Sequence, residues 1–234
     1  MRKAVLLLYF AVIFVAVSCT PSGVEETSVI TEAYVPCNGD LIFLTADESE
    51  FSDAIATATA QTDELQFVHV AVIAVDDGVA SVIEATAKHG VSETPYFEYI
   101  KPLHRENRGV AAVIKRITED IPMELSVQRV KECLGQGYNW TFMPTPGKKY
   151  CSELVYECFL RPDGSHIFTA RPMNFLDPNG NMPAFWTNIF SALGLDVPQG
   201  QPGTNPNDMS KEPCLREVYR YFTSTVSQIY TDAQ

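Results

Sequence analysis

The alternation of apolar and polar residues divides the chain into short elements. Residues 4–15 form an unbroken apolar run behind the basic Met1-Arg2-Lys3, and residues 20–36, rich in Ser, Thr, Glu and Pro, show no sustained period. After the turn signal Asn38-Gly39-Asp40, residues 41–45 read as a short apolar strand and residues 52–62 as a helix. Residues 67–75 are apolar at both alternating sets of positions, which predicts a central strand covered on both faces; His69 is the one polar residue inside it. Asp76-Asp77-Gly78 predicts a hairpin turn, with residues 79–85 as the return strand. Further strands are predicted at 96–100 and 109–117, and helices at 122–134, 184–193 and 213–228. Residues 135–147 form a loop carrying Tyr138, Trp140 and Phe142.

That loop leads into residues 149–160, a predicted helix bounded by Thr145-Pro146-Gly147 and Arg161-Pro162-Asp163-Gly164. Helical spacing puts Leu154, Val155, Cys158 and Phe159 on one stripe with Cys151 at its head, so the thiol points inward. A thiol in the first turn meets the positive end of the macrodipole and unpaired N–H groups, both of which favour the nucleophilic thiolate. Filling a core is the ordinary alternative for a lone buried cysteine.

Register supplies that thiol with partners. If Asp77-Gly78 is a two-residue loop, His69 falls opposite Thr86 and Ala71 opposite Glu84, so Glu84 is diagonal to His69 on the same face. A four-residue loop keeps this relation, whereas a three-residue loop sends Glu84 to the other face. Cys151 as nucleophile, His69 as base and Glu84 as the group orienting the imidazole form a set able to carry acyl transfer. Tyr138 and Trp140, in the loop before the nucleophile, are the expected substrate-binding residues. The N–H of Cys151 is an expected oxyanion donor. Asp40 is expected to bond local backbone, and Glu153 to cap the helix.

Composition narrows the partners. The formal net charge is −12, and the sequence holds no basic patch, which argues against nucleic acid or an anionic lipid surface as a binding partner. The six cysteines include no C-x-x-C and form no ligand pattern with the four histidines, so neither a metal nor an organic cofactor is expected. Residues 1–18 read as an export signal, too short for a comfortable membrane span. Ala16-Val17-Ser18-Cys19 resembles a bacterial lipobox, with Ala16 where leucine is commoner, which predicts lipidation at Cys19 and a lipid-anchored protein of the envelope. An ordinary secretory signal is the alternative. Residues 19–36 are then a tether, and residues 37–234 the folded domain.

Gly39-Asp40-Leu41-Ile42-Phe43, Val68-His69-Val70-Ala71-Val72, Ile83-Glu84-Ala85, Gly137-Tyr138-Asn139-Trp140 and Tyr150-Cys151-Ser152-Glu153-Leu154-Val155 occur here in that order. In this the chain resembles the YiiX-like hydrolases, circularly permuted NlpC-type members of the papain-like cysteine-hydrolase superfamily. The resemblance spans about residues 37–160 and implies an α+β fold, with an antiparallel sheet packed against helices that include the nucleophile helix. It matches Cys151 to the nucleophile and His69 to the base, and assigns Glu84 less directly. Permutation explains why the histidine precedes the cysteine. The function expected is a thiol-dependent amidase or peptidase acting on a small peptide-like or N-acyl substrate. A thiol acyl-transferase or lipid-acyl hydrolase on the same fold is one rival, and a binding module that keeps the cleft without turnover is another.

Overall fold

The computed structural model describes residues 34–47, 49–62, 65–105 and 112–221. The export signal, Cys19 and residues 222–228 of the last predicted helix lie outside the described residues. In chain order the elements are β1 (Leu41–Thr45), α1 (Glu50–Ala58), β2 (Phe67–Asp76), β3 (Val79–Thr86), β4 (Gly90–Pro95), α2 (Tyr96–Arg105), β5 (Ala112–Ile117) and α3 (Met123–Glu132). There follow β6 (Gly137–Tyr138), β7 (Lys148–Lys149), α4 (Cys151–Cys158), β8 (Arg171–Pro172), α5 (Ala184–Leu193), β9 (Pro202–Gly203), α6 (Pro206–Met209) and β10 (Leu215–Tyr221).

Six strands form one antiparallel sheet in the order β10-β5-β1-β2-β3-β4. Its central strands alternate between two cores. Val70, Val72 and Ala74 of β2, with Leu41 and Phe43 of β1, join a large cluster under α3, α4 and α5. Ala71, Ile73 and Ile42 point the other way, into a smaller cluster closed by Tyr96 and Ile100 of α2. This is why β2 carries no polar face along its length.

Two elements differ from the sequence expectation. Residues 96–100, predicted as a strand, begin helix α2. Tyr96 and Ile100 stand four apart and are buried together, a helical spacing that a short aromatic-rich run hides. The strand on this side is the preceding segment, β4, which the sequence reading passed over because Ser92, Glu93 and Thr94 make it polar; it is an edge strand ending in Pro95. Of residues 213–228, predicted as a helix, residues 215–221 instead form strand β10 on the edge of β5. Its Tyr219 and Tyr221 pack against the smaller cluster, so alternation, not helical period, decides this segment.

Asp40 does more than bond its neighbours. It accepts from the N–H of Cys37 as expected, but it is wholly buried and is also held by Arg116 through two bonds of 2.6 and 2.7 Å and by the Tyr34 hydroxyl. This pins the start of β1 to β5. Those donors offset the cost of burying the carboxylate.

Candidate active site

Helix α4 begins at Cys151 because the residues before it cannot continue a helix and those after it cap one. Tyr150 is extended, and its N–H donates to Glu153 Oε2 at 3.0 Å, the reciprocal half of a capping box. Glu153 is 5% exposed, and a second partner, Asn139, donates to Oε2 at 3.0 Å. Asn139 also donates to the Met143 carbonyl and accepts from Thr141, so one buried amide ties the aromatic loop to the helix start. Within that loop Phe142 has φ 54°, a left-handed conformation costly for a phenylalanine, held by the packing of its ring on Tyr150, Phe175 and Trp186. Ser152, fully buried, accepts from Thr204 Oγ1 at 3.1 Å, which fastens the same helix end to the segment after β9.

His69 reaches this helix end from β2. Leu44 pairs with His69 but Thr45 with Phe67, so Val68 is an extra residue, a β-bulge. The bulge lets the consecutive Val68 and His69 line the same cavity, as bulges beside sites commonly do. The hairpin has the two-residue turn, with Asp77 and Gly78 at positive φ and the ladder running from Asp76–Val79 to Val72–Ile83. Past the last ladder pair, by one residue on β3 and three on β2, His69 Nε2 lies 2.7 Å from Glu84 Oε2. The other ring nitrogen, Nδ1, is left for the Cys151 thiol, which lines the same cavity and acts on the imidazole electrostatically. Burial alone would lower the pKa of His69. Hydrogen bonds to Cys151 and Glu84 and the charges of both outweigh it and raise the value to about 10. Burial likewise pushes Glu84 up, and the His69 bond and charge, then the Tyr99 hydroxyl, bring it below its ordinary value.

Cys151, 5% exposed, stands between two cavities. One, of about 470 Å³, is lined by His69 and Glu84 and rimmed by Asp47 and Lys88. The other, of about 230 Å³, lies away from His69; its walls are mostly aromatic and apolar, among them Phe142, Tyr150, Met173, Phe175 and Trp186, and Arg171 and Asp208 also line it. Tyr138 lines both. Trp140 lines neither, contrary to the expectation for it: its ring packs on Phe51 and Tyr138, at 5.1 and 5.0 Å between centroids. Sequence reasoning missed Tyr99, hidden in a segment read as a strand. It also missed Tyr150, Met173 and Thr204, which two-residue strands and turns bring to the site without any periodic signal.

A thiol heading a helix and sharing a cavity with an imidazole, itself held by a carboxylate on an antiparallel sheet, is the arrangement of a papain-like cysteine site. Here the strand bearing the histidine precedes the helix bearing the cysteine, so the order is permuted. The chain belongs to the permuted papain-like amidase family of YaeF and YiiX, the C92 family, whose pattern matches residues 35–219. It is 25% identical to the uncharacterized protein YiiX of Escherichia coli strain K12 over 194 residues, covering 82% of this chain and 90% of that one. A crystal structure of YiiX from Escherichia coli O157:H7 shares the fold, with a TM-score of 0.63 and 21% identity over 81% of this chain and all of that one. That structure is described as a metalloprotein. Among the described residues of this chain no three His, Cys, Asp or Glu side chains gather as metal ligands, so the residues present do not fit such a site.

Proposed function

We propose that this protein is a thiol-dependent amidase that releases an amine from an N-acyl or peptide-like substrate through an acyl-enzyme on Cys151. The observation that carries the proposal is the placement of Cys151, at the start of α4, around one cavity with the bonded pair His69 and Glu84. Cys151 Sγ attacks the amide carbonyl carbon, and the oxyanion forms beside the N–H of Cys151, which has no acceptor within the helix. The Tyr138 hydroxyl is the second donor we assign: burial and the nearby Cys151 charge hold its pKa well above the ordinary value, so it keeps its proton. The C–N bond breaks as His69 passes its Nδ1 proton to the departing nitrogen. Water, deprotonated by His69, then cleaves the thioester, giving a carboxylic acid and the free thiol.

The same geometry supports an assignment of the two cavities. The leaving amine must lie within reach of His69, so it belongs in the wider cavity with the polar rim. The acyl group then enters the other, whose aromatic walls favour an apolar chain or ring. A cavity of about 230 Å³ exceeds the ~150 Å³ that admits a benzene molecule. The test is incubation of wild type and Cys151→Ala with N-acyl amino acids and with peptidoglycan fragments, following product and the mass of the protein. The expected result is an acyl adduct on wild type alone, strongest with apolar acyl groups. Equal product from both proteins, or ligand binding with no adduct, overturns the proposal in favour of a binding module.

A further inference from the structure

We propose that Tyr99, on helix α2, is a positioning residue of this site, fixing the Glu84 carboxylate against His69. The inference rests on the Cys151–His69–Glu84 reading above and adds a fourth member to it. The Tyr99 hydroxyl donates to Glu84 Oε2 at 3.1 Å, the same oxygen that faces His69 Nε2 at 2.7 Å. Among the described residues, no other side chain is bonded to Glu84.

Two physical consequences follow from that shared oxygen. First, Glu84 has three rotatable side-chain bonds, and a second donor from a different element restricts them more than the single contact to His69 does. The second donor comes from a rigid place. On α2, Tyr96 and Ile100 are 4% and 7% exposed in the smaller core, while Phe97, 79% exposed, faces outward. The packing of the flanking residues therefore fixes the backbone that carries Tyr99. Second, a donor on the carboxylate favours its charged form and so keeps the imidazolium paired. Burial, with the charge and bond of Glu84, holds the Tyr99 hydroxyl well above its ordinary pKa, so it stays a donor throughout. Other ionisable groups around Glu84 are His69 on β2, His89 in the β3–β4 turn and Lys88, which rims the same cavity. Cys151 approaches from α4, and neither histidine nor Lys88 offers a neutral fixed donor like the phenol.

Tyr99→Phe removes the hydroxyl and keeps the ring. The experiment follows the imidazole nitrogen shifts of His69 by NMR against pH, in parallel with the rate at which iodoacetamide alkylates Cys151. In the variant the acid step that Glu84 imposes on His69 should move to higher pH. Alkylation in the acid range, where the carboxylate of the variant is protonated and that of wild type is not, should fall by up to about tenfold, the scale of one hydrogen bond to a charged group, and recover toward neutrality. In a Glu84→Gln background Tyr99→Phe should add no further loss, because Tyr99 acts through that carboxylate. Superimposable titrations in wild type and Tyr99→Phe, or a loss equal at every pH and undiminished in the Glu84→Gln background, would overturn the inference. The NMR titration needs no turnover, so a wild type that hydrolyses no N-acyl substrate sinks the amidase reading without deciding the role of Tyr99.

Discussion

Replacing Glu84 by Gln keeps the side-chain length and an oxygen able to accept from His69 Nε2, and removes only the charge. In the native site, burial opposes the imidazolium, but Cys151 and Glu84 together raise the His69 pKa from 6.5 to about 10. That difference corresponds to roughly 5 kcal/mol in favour of the charged ring. Glu84 acts through a hydrogen bond and a charge, and the scale of one hydrogen bond to a charged group is roughly 2 kcal/mol, about thirtyfold. The sign follows from the direction. A raised histidine stabilises the fold fully below pH 6.5, and that contribution is lost as pH climbs through about 10. In Glu84→Gln the loss should begin at lower pH in urea unfolding, and the alkaline titration of His69 should shift down with it. Alkylation of Cys151 near neutrality should fall by up to about thirtyfold. An alkaline titration that does not move, with alkylation within about twofold of wild type, would refute the argument that the Glu84 charge holds the imidazolium.

Glu153→Ala removes the acceptor for Tyr150 N–H and leaves Asn139 without its buried partner. It should destabilise the fold by roughly 1–3 kcal/mol in denaturant unfolding and lower turnover beyond that loss, because the start of α4 is what holds Cys151. Cys19→Ala tests the envelope address expected from residues 1–19: the protein should move from the membrane fraction to the soluble one, and unchanged membrane association would count against lipidation at Cys19.

The parts of this fold that one residue pattern determines were legible in the sequence. Strand β1 and helix α5 fall where the pattern put them. Asp77-Gly78 marked the turn but left two-, three- and four-residue loops open; the structure has the two-residue loop, which sets Glu84 beside His69. The nucleophile helix was readable: breakers on both sides and one apolar stripe admit one solution. Errors arose where tertiary partners choose between periods. Residues 96–100 fit alternation and helix about equally, and the buried Tyr96–Ile100 pair on the smaller core decides for helix. Residues 215–221 become a strand because β5 offers an open edge, a fact about a segment a hundred residues earlier. Trp140 shows the same limit at the scale of a side chain. Its neighbour Tyr138 lines both cavities, while Trp140 turns to Phe51, a residue no local pattern connects to it.

The consequence of the first of those errors reaches the chemistry. A strand at residues 96–100 would have left the His69 face of β2 and β3 covered by sheet neighbours alone, and Glu84 bonded only to its histidine. As a helix, the segment does two things at once. Tyr96 and Ile100 seal the smaller core under Ala71, Ile73 and Val82, and Tyr99, between them on the same helix, carries a hydroxyl to the carboxylate. The site is thus supported from both sides of the sheet: α4 brings the thiol from the larger core, and α2 secures the orienting carboxylate from the smaller one. The two helices pack in different clusters, so the imidazole between them is held by the sheet register and by packing on both faces of the sheet. A substitution that loosens α2, such as one at Ile100, is therefore expected to reach Cys151 only by way of Glu84 and His69.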